Sequence, residues 1–554
     1  MLYTAAGHEA LSQASLDARR AAWHAPGCAL PLSRRQARDR ASNASTPWNA
    51  AALRRLFHST LRDQQVIVVS NRAPVSHERV AGAVQAVRPS SGLVTAVEPV
   101  LQACGGTWIA HGSGSADREV VDADDVWRVR AKESEDSGYA LRRIWLDAEE
   151  RAGYGDGMAN AGLWPLCHMA HVKPRFVESD WCHYRAVNQR FAQAVVQQAQ
   201  CSDPIVLVQD YHLALVPALV RQRLPHATLI SFWHVPWAHP EQMQTCPWLR
   251  ELVHGLLGSD IVGLQTPQHR RNFVASAALF GHELDTPSPA APRAQARSYP
   301  ISIAWPTVAE AQALPTPATC RDAALRRWGL PVDGKLLVGV DRFDYTKGLV
   351  ERLLAVERLL LDQPHWRGRL RFVQVAAPTR EALPEYAALR AEVTAQVERI
   401  NQRFAGDAVT PIVLLDTHHD KDAVNALYRA ADVCLVTPLH DGMNLVAKEF
   451  VAARDDERGV LVLSRFAGAA HELQEALLIN PYHTAQVAQA LQRALDMPPG
   501  EQQQRMRALR DTVRLGNVHG WAAGMLLDAA ALRAARRSAI PPRAPLALAL
   551  AAGG

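Results

Sequence analysis

Residues 335–362 read KLLVGVDRFDYTKGLVERLLAVERLLLD. The run 336–340 is apolar and contains β-branched residues, which is typical of a buried strand. Residues 348–362 place apolar side chains at helical spacing. Between them stands a turn, 341–348, that carries acidic and basic side chains. This segment therefore predicts one strand–turn–helix unit of a parallel sheet.

The same alternation extends in both directions along the chain. Further apolar runs predict buried strands at 66–69, 205–208, 228–232, 261–264, 370–375, 412–415, 433–436 and 460–463. Long helical patterns, such as 381–404, separate many of these runs. Because parallel strands are joined by helices that cover both faces of their sheet, we predict an α/β fold with doubly wound sheets.

The chain has 554 residues, which is too long for a single core. We predict an N-terminal doubly wound domain over 64–305 and a C-terminal one over 334–500, facing each other across a cleft. Residues 306–333 are rich in Pro, Ala and Thr and are predicted to form a linker. The other predicted segments are a partly disordered extension over 1–63, helices over 501–536 that pack back toward the N-terminal domain, and a mobile tail over 537–554.

Composition excludes several classes of protein. The formal net charge is only +5, without the concentrated basic face of a nucleic-acid-binding protein. No run of about 18 apolar residues is present, so no membrane-spanning helix is predicted. The eight cysteines form no C-x-x-C pair, which favours free thiols in a reducing compartment. We therefore predict a cytoplasmic protein with small-molecule substrates and no nucleic-acid or membrane partner; homo-oligomer formation is left open.

Five predicted strands end in polar clusters. The clusters begin at Asn71, Gln209, His234, Asp341 and Pro438. Taken singly, a strand-end Asp is often a helix N-cap, and a lone His is usually a structural residue. The carboxyl ends of parallel strands, however, meet at the edge of the sheet where ligands bind in such folds. Five clusters at that edge indicate a shared ligand site.

Two of these clusters have the chemistry of a phosphate site. Arg342 and Lys347 flank a turn that leads into a helix, and two cations beside a helix N-terminus suit a diphosphate. Residues 441–445 open another helix, where the glycine lets the backbone approach phosphate oxygens. Glu449, one turn further on, is placed to accept hydrogen bonds from a ribose. Arginine carries most of the positive charge, so Lys347 and Lys448 indicate positions that need a compact ammonium.

A set of motifs in fixed order is more specific evidence of function than any one cluster. The motifs are SNR (70–72), LWP (163–165), QDYHL (209–213), HVP (234–236), DRFDYTKG (341–348), APTR (377–380), HDGMNLVAKE (440–449) and SRFAGAAHEL (464–473). This set resembles the trehalose-6-phosphate synthase family. The resemblance implies two Rossmann-like domains in the GT-B arrangement. It also implies retaining transfer of glucose, without a metal or other cofactor, from a nucleotide diphosphate glucose to glucose 6-phosphate, with UDP-glucose as the favoured donor.

The resemblance implies roles on the donor side at the matching positions. Arg342 and Lys347 would grip the diphosphate and stabilise the leaving group, and His234 would contact the donor sugar near its 6-hydroxyl. Asp441 would bind glucose hydroxyls and Glu449 the ribose. The donor-binding residues implied are Gly92, Asp441, Met443, Asn444, Leu445 and Glu449.

On the acceptor side, the resemblance implies that Arg72 and Arg380 bind the acceptor phosphate. Trp164 would wall the acceptor sugar, and Asp210 would lie at the acceptor side of the reacting centre. In this family the leaving phosphate takes the acceptor proton on the same face of the sugar. The catalytic residues implied are therefore Arg342, Lys347, Asp210 and His234, with no covalent nucleophile among them.

The chain departs from the family pattern at several positions. Ser91 replaces the first glycine of a GGL donor loop, and Gln209 and His440 replace the usual His and Arg. His111 stands where the family usually has a tryptophan, and Gly155 where it has the second of two tyrosines. The last two departures bear on the acceptor. The donor half of the site is thus better preserved than the acceptor half.

Other functions fit parts of the pattern. A glucosylglycerol-phosphate synthase would accept glycerol 3-phosphate, and a pseudo-glycosyltransferase would form a carbon–nitrogen link to a cyclitol. A regulator that binds the nucleotide sugar without turnover is the alternative from another class. A dehydrogenase is disfavoured because the G-S-G of 112–114 lacks the third glycine of a dinucleotide site. A metal site made of His168, His212 and His234 is disfavoured because their spacing matches no ligand motif.

Overall fold

The structure is a computed structural model that describes residues 47–62, 64–89, 92–131, 134–169, 171–284, 294–407 and 409–539. The predicted disorder of 1–46 and mobility of 540–554 lie outside the described residues. Within the described ranges, no helix is long and apolar enough to cross a membrane. No disulfide links the cysteines of these ranges.

The N-terminal half is built on a large sheet. Its strands are β1 (Val66–Ser70), β2 (Ser76–Val80), β3 (Ala83–Val87), β4 (Thr107–His111), β5 (Val126–Ala131), β6 (Ser134–Ile144), β7 (Ile205–Gln209), β8 (Thr228–Trp233), β9 (Ile261–Leu264) and β10 (Gln295–Ser298). Eight of them form one sheet in the order β10-β9-β8-β7-β1-β4-β6-β5. Only the β5–β6 pair in it is antiparallel. β2 and β3 form a separate hairpin.

The C-terminal half is built on a six-stranded sheet. Its strands are β11 (Lys335–Arg342), β12 (Leu370–Ala377), β13 (Ile412–Leu415), β14 (Val433–Val436), β15 (Val460–Ser464) and β16 (Leu477–Ile479). The order is β13-β12-β11-β14-β15-β16, and every neighbouring pair is parallel. All the strands predicted from apolar runs are present. The predicted α/β class with two doubly wound sheets is confirmed.

Helices cover both sheets. They are α1 (Ala50–Leu56), α2 (Gly92–Cys104), α3 (Ala148–Glu150), α4 (Trp164–His168), α5 (Glu178–Gln198), α6 (Val216–Arg223), α7 (Pro240–Met243), α8 (Leu249–Leu256), α9 (Pro267–Ala278), α10 (Val308–Ala313), α11 (Pro317–Arg327), α12 (Leu349–Asp362), α13 (Pro384–Arg403), α14 (Lys421–Ala430), α15 (Leu445–Ala453), α16 (Thr484–Leu495), α17 (Pro499–Leu515) and α18 (Val518–Ala539). Two π-helical segments, Phe57–Leu61 and Arg151–Leu163, continue α1 and α3.

Strand order places the ligand site. In the first sheet, β4, β5 and β6 lie on one side of β1, and the later strands β7 to β10 lie on the other side. In the second sheet, β11 lies between β12 and β14 in the same way. Such switch points leave a crevice at the carboxyl ends of the strands. The polar clusters after β1, β7, β11 and β14 therefore line two crevices, one in each half.

The prediction of a linker over 306–333 needs correcting for residues 317–327, which form α11. Thr316 caps this helix by accepting a hydrogen bond from Thr319 N at 3.2 Å. Leu325 is buried in the same core as Leu427 of α14. Arg321 Nη1 donates to Asp432 Oδ2 at 2.7 Å. Proline at the first helical position, after a Thr cap, starts a helix here and does not mark a loop.

Part of the stretch predicted as an N-terminal extension belongs to the folded body. Residues 47–62 form α1 and the π-helical segment that follows it. The side chains of Leu53, Phe57 and Leu61 are buried in a hydrophobic core that also contains Val94 of α2 and Trp521 of α18. Their spacing by about four residues puts them on one helix face, which explains how an Ala- and Arg-rich segment still packs.

The last helix, α18, lies against the N-terminal sheet. Val518 N donates to Ile303 O at 2.9 Å where the chain crosses between the halves. Tyr299 Oη donates to Asp528 Oδ2 at 2.6 Å. Near its end, Arg533 Nη1 donates to Thr228 Oγ1 at 3.0 Å. The C-terminal helix α18 thus packs against the N-terminal half of the protein.

Replacing Arg533 with alanine is expected to destabilise the protein by about 1–3 kcal/mol, because the buried Thr228 Oγ1 loses its donor. Asp203 O, at 2.8 Å from Arg533 Nη1, keeps a second donor in Gln64 Nε2 at 3.0 Å. The measurement is the urea midpoint by circular dichroism. The control is Arg537→Ala, at an exposed position one turn further on. Equal midpoints for the two variants would contradict the packing of α18 described above.

Candidate active site

The turn after β11 presents a cation to the crevice of the C-terminal half. Lys347 Nζ lies 2.5 Å from Asp441 Oδ2, which also accepts from Asn444 Nδ2 at 3.2 Å. Burial by itself would lower the pKa of the Lys347 ammonium. The carboxylates of Asp441, Asp341 and Asp344 overcome that effect and raise the pKa above its ordinary value. Lys347 is therefore a fixed positive charge at the end of β11.

The turn itself is built by Asp344 and Gly348. Asp344 Oδ1 accepts from Thr346 N at 3.1 Å and from Thr346 Oγ1 at 2.9 Å. Gly348 has a φ of 62°, and a Cβ atom there would lie 2.2 Å from Thr437 O. Only glycine satisfies both conditions. The DYTKG sequence therefore aims Lys347 at the cluster that follows β14.

The first turns of two helices from opposite halves meet at the crevice. Asn444 caps α15 by accepting from Ala447 N at 3.2 Å. Gly92 begins α2, and a Cβ atom there would lie 2.8 Å from Leu445 Cδ1. The start of α2 thus packs directly against the first residue of α15. Two helix N-termini side by side favour an anion between the halves.

Asp441, Gly442 and Met443 bring the C-terminal half against the N-terminal half. A Cβ atom at Gly442 would lie 2.2 Å from His234 O. Met443 is buried, and its carbonyl accepts from Ala469 N at 2.8 Å. The sequence HDGMN therefore places Asp441 beside the residues that end β8.

His234 is held by Gln209 and Asp210, which end β7. Gln209 Oε1 lies 2.9 Å from His234 Nε2, and His234 N donates to Asp210 Oδ1 at 3.2 Å. Burial lowers the pKa of His234 to about 3, so its imidazole is neutral at physiological pH. A neutral ring held through Nε2–H leaves Nδ1 as an acceptor for a sugar hydroxyl.

Asp210 has a backbone conformation that is rare for a residue with a side chain. Its φ is 73°, a region that costs about 1–3 kcal/mol for such residues. Oδ1 also accepts from Tyr211 N at 3.0 Å. Burial raises the pKa of Asp210 to about 7, against the opposing effect of the backbone N–H groups. The carboxyl group thus keeps its proton to a higher pH than an exposed aspartate does.

The raised pKa of Asp210 predicts a pH-dependent stability. From about pH 4, the ordinary value for Asp, to about pH 7, the native state holds a proton that the unfolded state has lost. Stability therefore falls as pH rises through this window. The urea midpoint of the unsubstituted protein is expected to fall relative to that of Asp210→Asn across the window. Parallel pH curves for the two proteins would contradict the raised pKa.

Arg380 is the central cation among the residues predicted to bind the acceptor. Its Cζ lies 4.0 Å from the centre of the Trp164 ring, which belongs to the opposite half. Arg380 Nη2 donates to Tyr211 Oη at 3.2 Å, and Nη1 donates to Tyr386 Oη at 2.5 Å. Part of the Arg72 residue is exposed to solvent. The pKa of its guanidinium is lowered by partial burial and then by the nearby charges of Arg342 and Arg380. The predicted acceptor residues Arg72, Trp164 and Arg380 are thus neighbours.

One buried carboxylate lies between Arg342 and Arg380, the cations predicted to bind the donor and the acceptor. Asp344 Oδ2 is 3.6 Å from Arg342 Nη2 and 3.7 Å from Arg380 Nη1. Burial would raise the pKa of Asp344, but Arg380, Arg342 and Lys347 lower it to about 2. Asp344 therefore stays ionised and keeps the two guanidinium groups close to each other.

Other predicted residues have different surroundings. Lys448 does not reach the crevice: its Nζ donates to Ile301 O at 2.8 Å and to Glu472 Oε2 at 2.6 Å, so the ammonium is structural. Glu449 is half-buried, and its Oε2 accepts from Tyr428 Oη at 3.4 Å. Burial raises the pKa of Glu449. Its role with a ribose remains a prediction.

Two departures from the family pattern stand at positions predicted to bear on the acceptor. A Cβ atom at Gly155 would meet nothing within 4 Å, so this position faces open space. Burial, followed by the charge of Arg151, lowers the pKa of His111 to about 4, which makes the imidazole neutral.

Among the described residues, no group of three or more His, Cys, Asp or Glu side chains is arranged to hold a metal.

A sequence model described as glycosyltransferase family 20 matches residues 64–531. The chain belongs to glycosyltransferase family 20. The trehalose-6-phosphate synthase of Mycobacterium sp. (strain JLS) is 40% identical over 480 residues, which cover 84% of this chain and 96% of that protein. The trehalose-6-phosphate synthase of Mycolicibacterium smegmatis is 38% identical over 83% of this chain and 91% of that protein. The family predicted from the motifs is confirmed.

Solved structures of family 20 enzymes share the fold. An Escherichia coli protein, described as trehalose-6-phosphate bound with UDP-2-fluoro glucose, is 31% identical, with a TM-score of 0.74 over 84% of this chain and 99% of that one. A synthase from Burkholderia xenovorans in complex with glucose-6-phosphate is 34% identical, with a TM-score of 0.72 over 84% of this chain and 99% of that one. The predicted GT-B arrangement is confirmed, and this chain is a retaining glycosyltransferase.

Sequence reasoning missed three residues that shape this site. Tyr211 and Asp344 lie inside motifs, yet neither was assigned a contact with Arg380. Tyr386 lies outside the motifs, in the first turn of α13. A lone tyrosine in a helix carries no signal of its own, because only the folded chain brings it to Arg380.

Proposed function

We propose that the protein is an α,α-trehalose-6-phosphate synthase. It transfers glucose, with retention of configuration, from a nucleotide diphosphate glucose to glucose 6-phosphate, and UDP-glucose is the favoured donor. The observation that carries this proposal is the pair of cations around Asp344, with Arg342 at 3.6 Å and Arg380 at 3.7 Å. Two groups that would bind phosphate lie close together, as a reaction between a diphosphate sugar and a phosphorylated acceptor requires.

The donor would lie along the C-terminal half. Arg342 and Lys347 would bind the diphosphate beside the N-terminus of α15, and their charge would stabilise the leaving group as the glycosidic bond breaks. Asp441 is anchored through Oδ2 by Lys347 and Asn444. Its Oδ1 would accept from glucose hydroxyls. The charge of these side chains could replace that of a metal ion, and we propose that the transfer needs none.

The acceptor would lie between Trp164 and the N-terminal half. Arg380 and Arg72 would bind its phosphate, and the Trp164 ring would cover its sugar. Asp210 would lie next to the reacting hydroxyl, with His234 on the donor side. The leaving phosphate would take the proton of the attacking hydroxyl, so that Asp210 orients the acceptor and forms no covalent bond.

Product structure tests this proposal. Incubation with UDP-glucose and glucose 6-phosphate is expected to give a phosphorylated disaccharide without a reducing end. Nuclear magnetic resonance of the dephosphorylated product should show a single α anomeric signal, because two α-linked glucose units are equivalent by symmetry. A reducing disaccharide or a β anomeric signal would contradict the proposed reaction.

Glucosylglycerol-phosphate synthesis is the second candidate, and the open space at Gly155 favours it. An acceptor site with fewer side-chain contacts discriminates less between a hexose phosphate and glycerol 3-phosphate. Parallel assays with the two acceptors separate these functions. Higher kcat/KM for glycerol 3-phosphate would move the assignment to this candidate.

A further inference from the structure

Arg380 is held in an unusual way for a buried cation. It follows β12 with a φ of 48°, a left-handed conformation that costs about 1–3 kcal/mol for a residue with a side chain. The surrounding contacts must therefore keep this backbone in place. Those contacts determine which edge of the guanidinium remains open to a ligand.

The hydrogen-bond partners of the Arg380 guanidinium are two phenols. Tyr386 Oη accepts from Nη1 at 2.5 Å, and Tyr211 Oη accepts from Nη2 at 3.2 Å. Tyr211 itself donates to Asn160 Oδ1 at 3.2 Å, so its lone pair remains for Arg380. The indole of Trp164 covers the flat face at 4.0 Å. None of these partners carries a formal charge.

The Tyr386 phenol that accepts a hydrogen bond from Arg380 stays uncharged. Its side chain is 2% exposed, and burial followed by the charge of Asp344 raises its pKa to about 12. Its ring packs against that of Tyr345, with 5.2 Å between the centroids. The phenol oxygen is thus fixed by packing in the first turn of α13, independently of any ligand.

A neutral acceptor has a different consequence from a carboxylate. A carboxylate within hydrogen-bond distance would neutralise the guanidinium and compete with an incoming phosphate. A phenol orients the same N–H group and leaves the positive charge uncompensated at that distance. Asp344 Oδ2, at 3.7 Å, lies outside hydrogen-bond distance. Asp344 forms an ion pair with Arg380 but shares it with Arg342 at 3.6 Å, so two guanidinium groups share one carboxylate and keep a net positive charge. The phenols orient Arg380 without adding a second negative charge.

We propose that Tyr386 is a positioning residue for the acceptor phosphate. It holds Arg380 Nη1 from the C-terminal half, so that the guanidinium presents its remaining donors to the phosphate when the acceptor binds. The inference rests on the proposed function, because it takes Arg380 as the phosphate-binding residue. It adds a residue outside the sequence motifs to the set that recognises the acceptor.

The test is Tyr386→Phe, which removes one hydroxyl and keeps the ring. The KM for glucose 6-phosphate is expected to rise about tenfold, since one hydrogen bond to a charged group is lost. The kcat and the KM for UDP-glucose should stay unchanged. Preference for glucose 6-phosphate over glucose, as a ratio of kcat/KM values, should fall by the same factor, because glucose does not use Arg380. The control is Thr394→Ala, an exposed position further along α13.

Each outcome has a separate meaning. If Tyr386→Phe keeps both the KM for glucose 6-phosphate and the preference over glucose, the positioning role is wrong. If Arg380→Ala also keeps the preference, the acceptor assignment in the proposed function fails instead. A thermal melt of Tyr386→Phe guards against a folding defect. A defect that lowers kcat with both acceptors equally would show a structural role and would overturn the proposal.

Discussion

Lys347→Ala is expected to lower kcat by about 100- to 1,000-fold, the range for removing one preorganised group that stabilises developing charge. Lys347 Nζ is fixed 2.5 Å from Asp441 Oδ2 by a turn that only glycine at 348 allows. The charge on the leaving diphosphate grows as the glycosidic bond breaks. An ammonium fixed before the reaction stabilises the transition state more than the ground state. The loss should therefore appear in kcat.

The measurement is initial-rate kinetics with both substrates varied. The matched control is Lys335→Ala, at the other end of β11, where Nζ lies 3.6 Å from Asp432 Oδ1. This end of the strand is remote from the crevice, so the control should keep its kcat. A Lys347→Ala protein that turns over at the unsubstituted rate would show that the diphosphate lies elsewhere.

Arg380→Ala is expected to lower kcat/KM for glucose 6-phosphate by about 100-fold. That factor corresponds to about 3 kcal/mol, the upper range for hydrogen bonds to a charged group. The variant also loses the contact of Arg380 with Trp164, at 4.0 Å, which joins the two halves. Turnover of glucose, which has no phosphate, should change much less.

Comparing the two acceptors separates phosphate binding from closure of the cleft. The control is Arg358→Ala, which removes an exposed arginine paired with Asp362 at 2.7 Å on α12. An equal loss with glucose 6-phosphate and with glucose would contradict phosphate binding and leave only the contact between the halves. An unchanged kcat/KM for glucose 6-phosphate would remove Arg380 from the site.

The sheets could be predicted because buried parallel strands are almost wholly apolar. The apolar run 433–436, for example, forms a strand with the predicted bounds. Arg342, Lys347 and Asp441 could be predicted because each lies within a few residues of a strand end. Their common edge follows from strand direction alone.

Residues that depend on long-range pairing could not be predicted. Lys448 is next to Glu449 in sequence, but its ammonium pairs with Glu472 and with a carbonyl of the other half. The sequence does not indicate whether the Lys448 ammonium binds a ligand or these structural partners. Tyr386 reaches Arg380 only after α13 has folded onto β12. The helix α11 was missed because its segment was interpreted as a linker from its content of Pro, Ala and Thr.

Release of nucleoside diphosphate by the purified protein tests the central claim most directly. UDP-, GDP- and ADP-glucose would each be supplied with glucose 6-phosphate, with glycerol 3-phosphate and without acceptor. We expect release that requires glucose 6-phosphate and is fastest with UDP-glucose. Release only with glycerol 3-phosphate, or none with any pair although the nucleotide sugar binds, would contradict a trehalose-6-phosphate synthase.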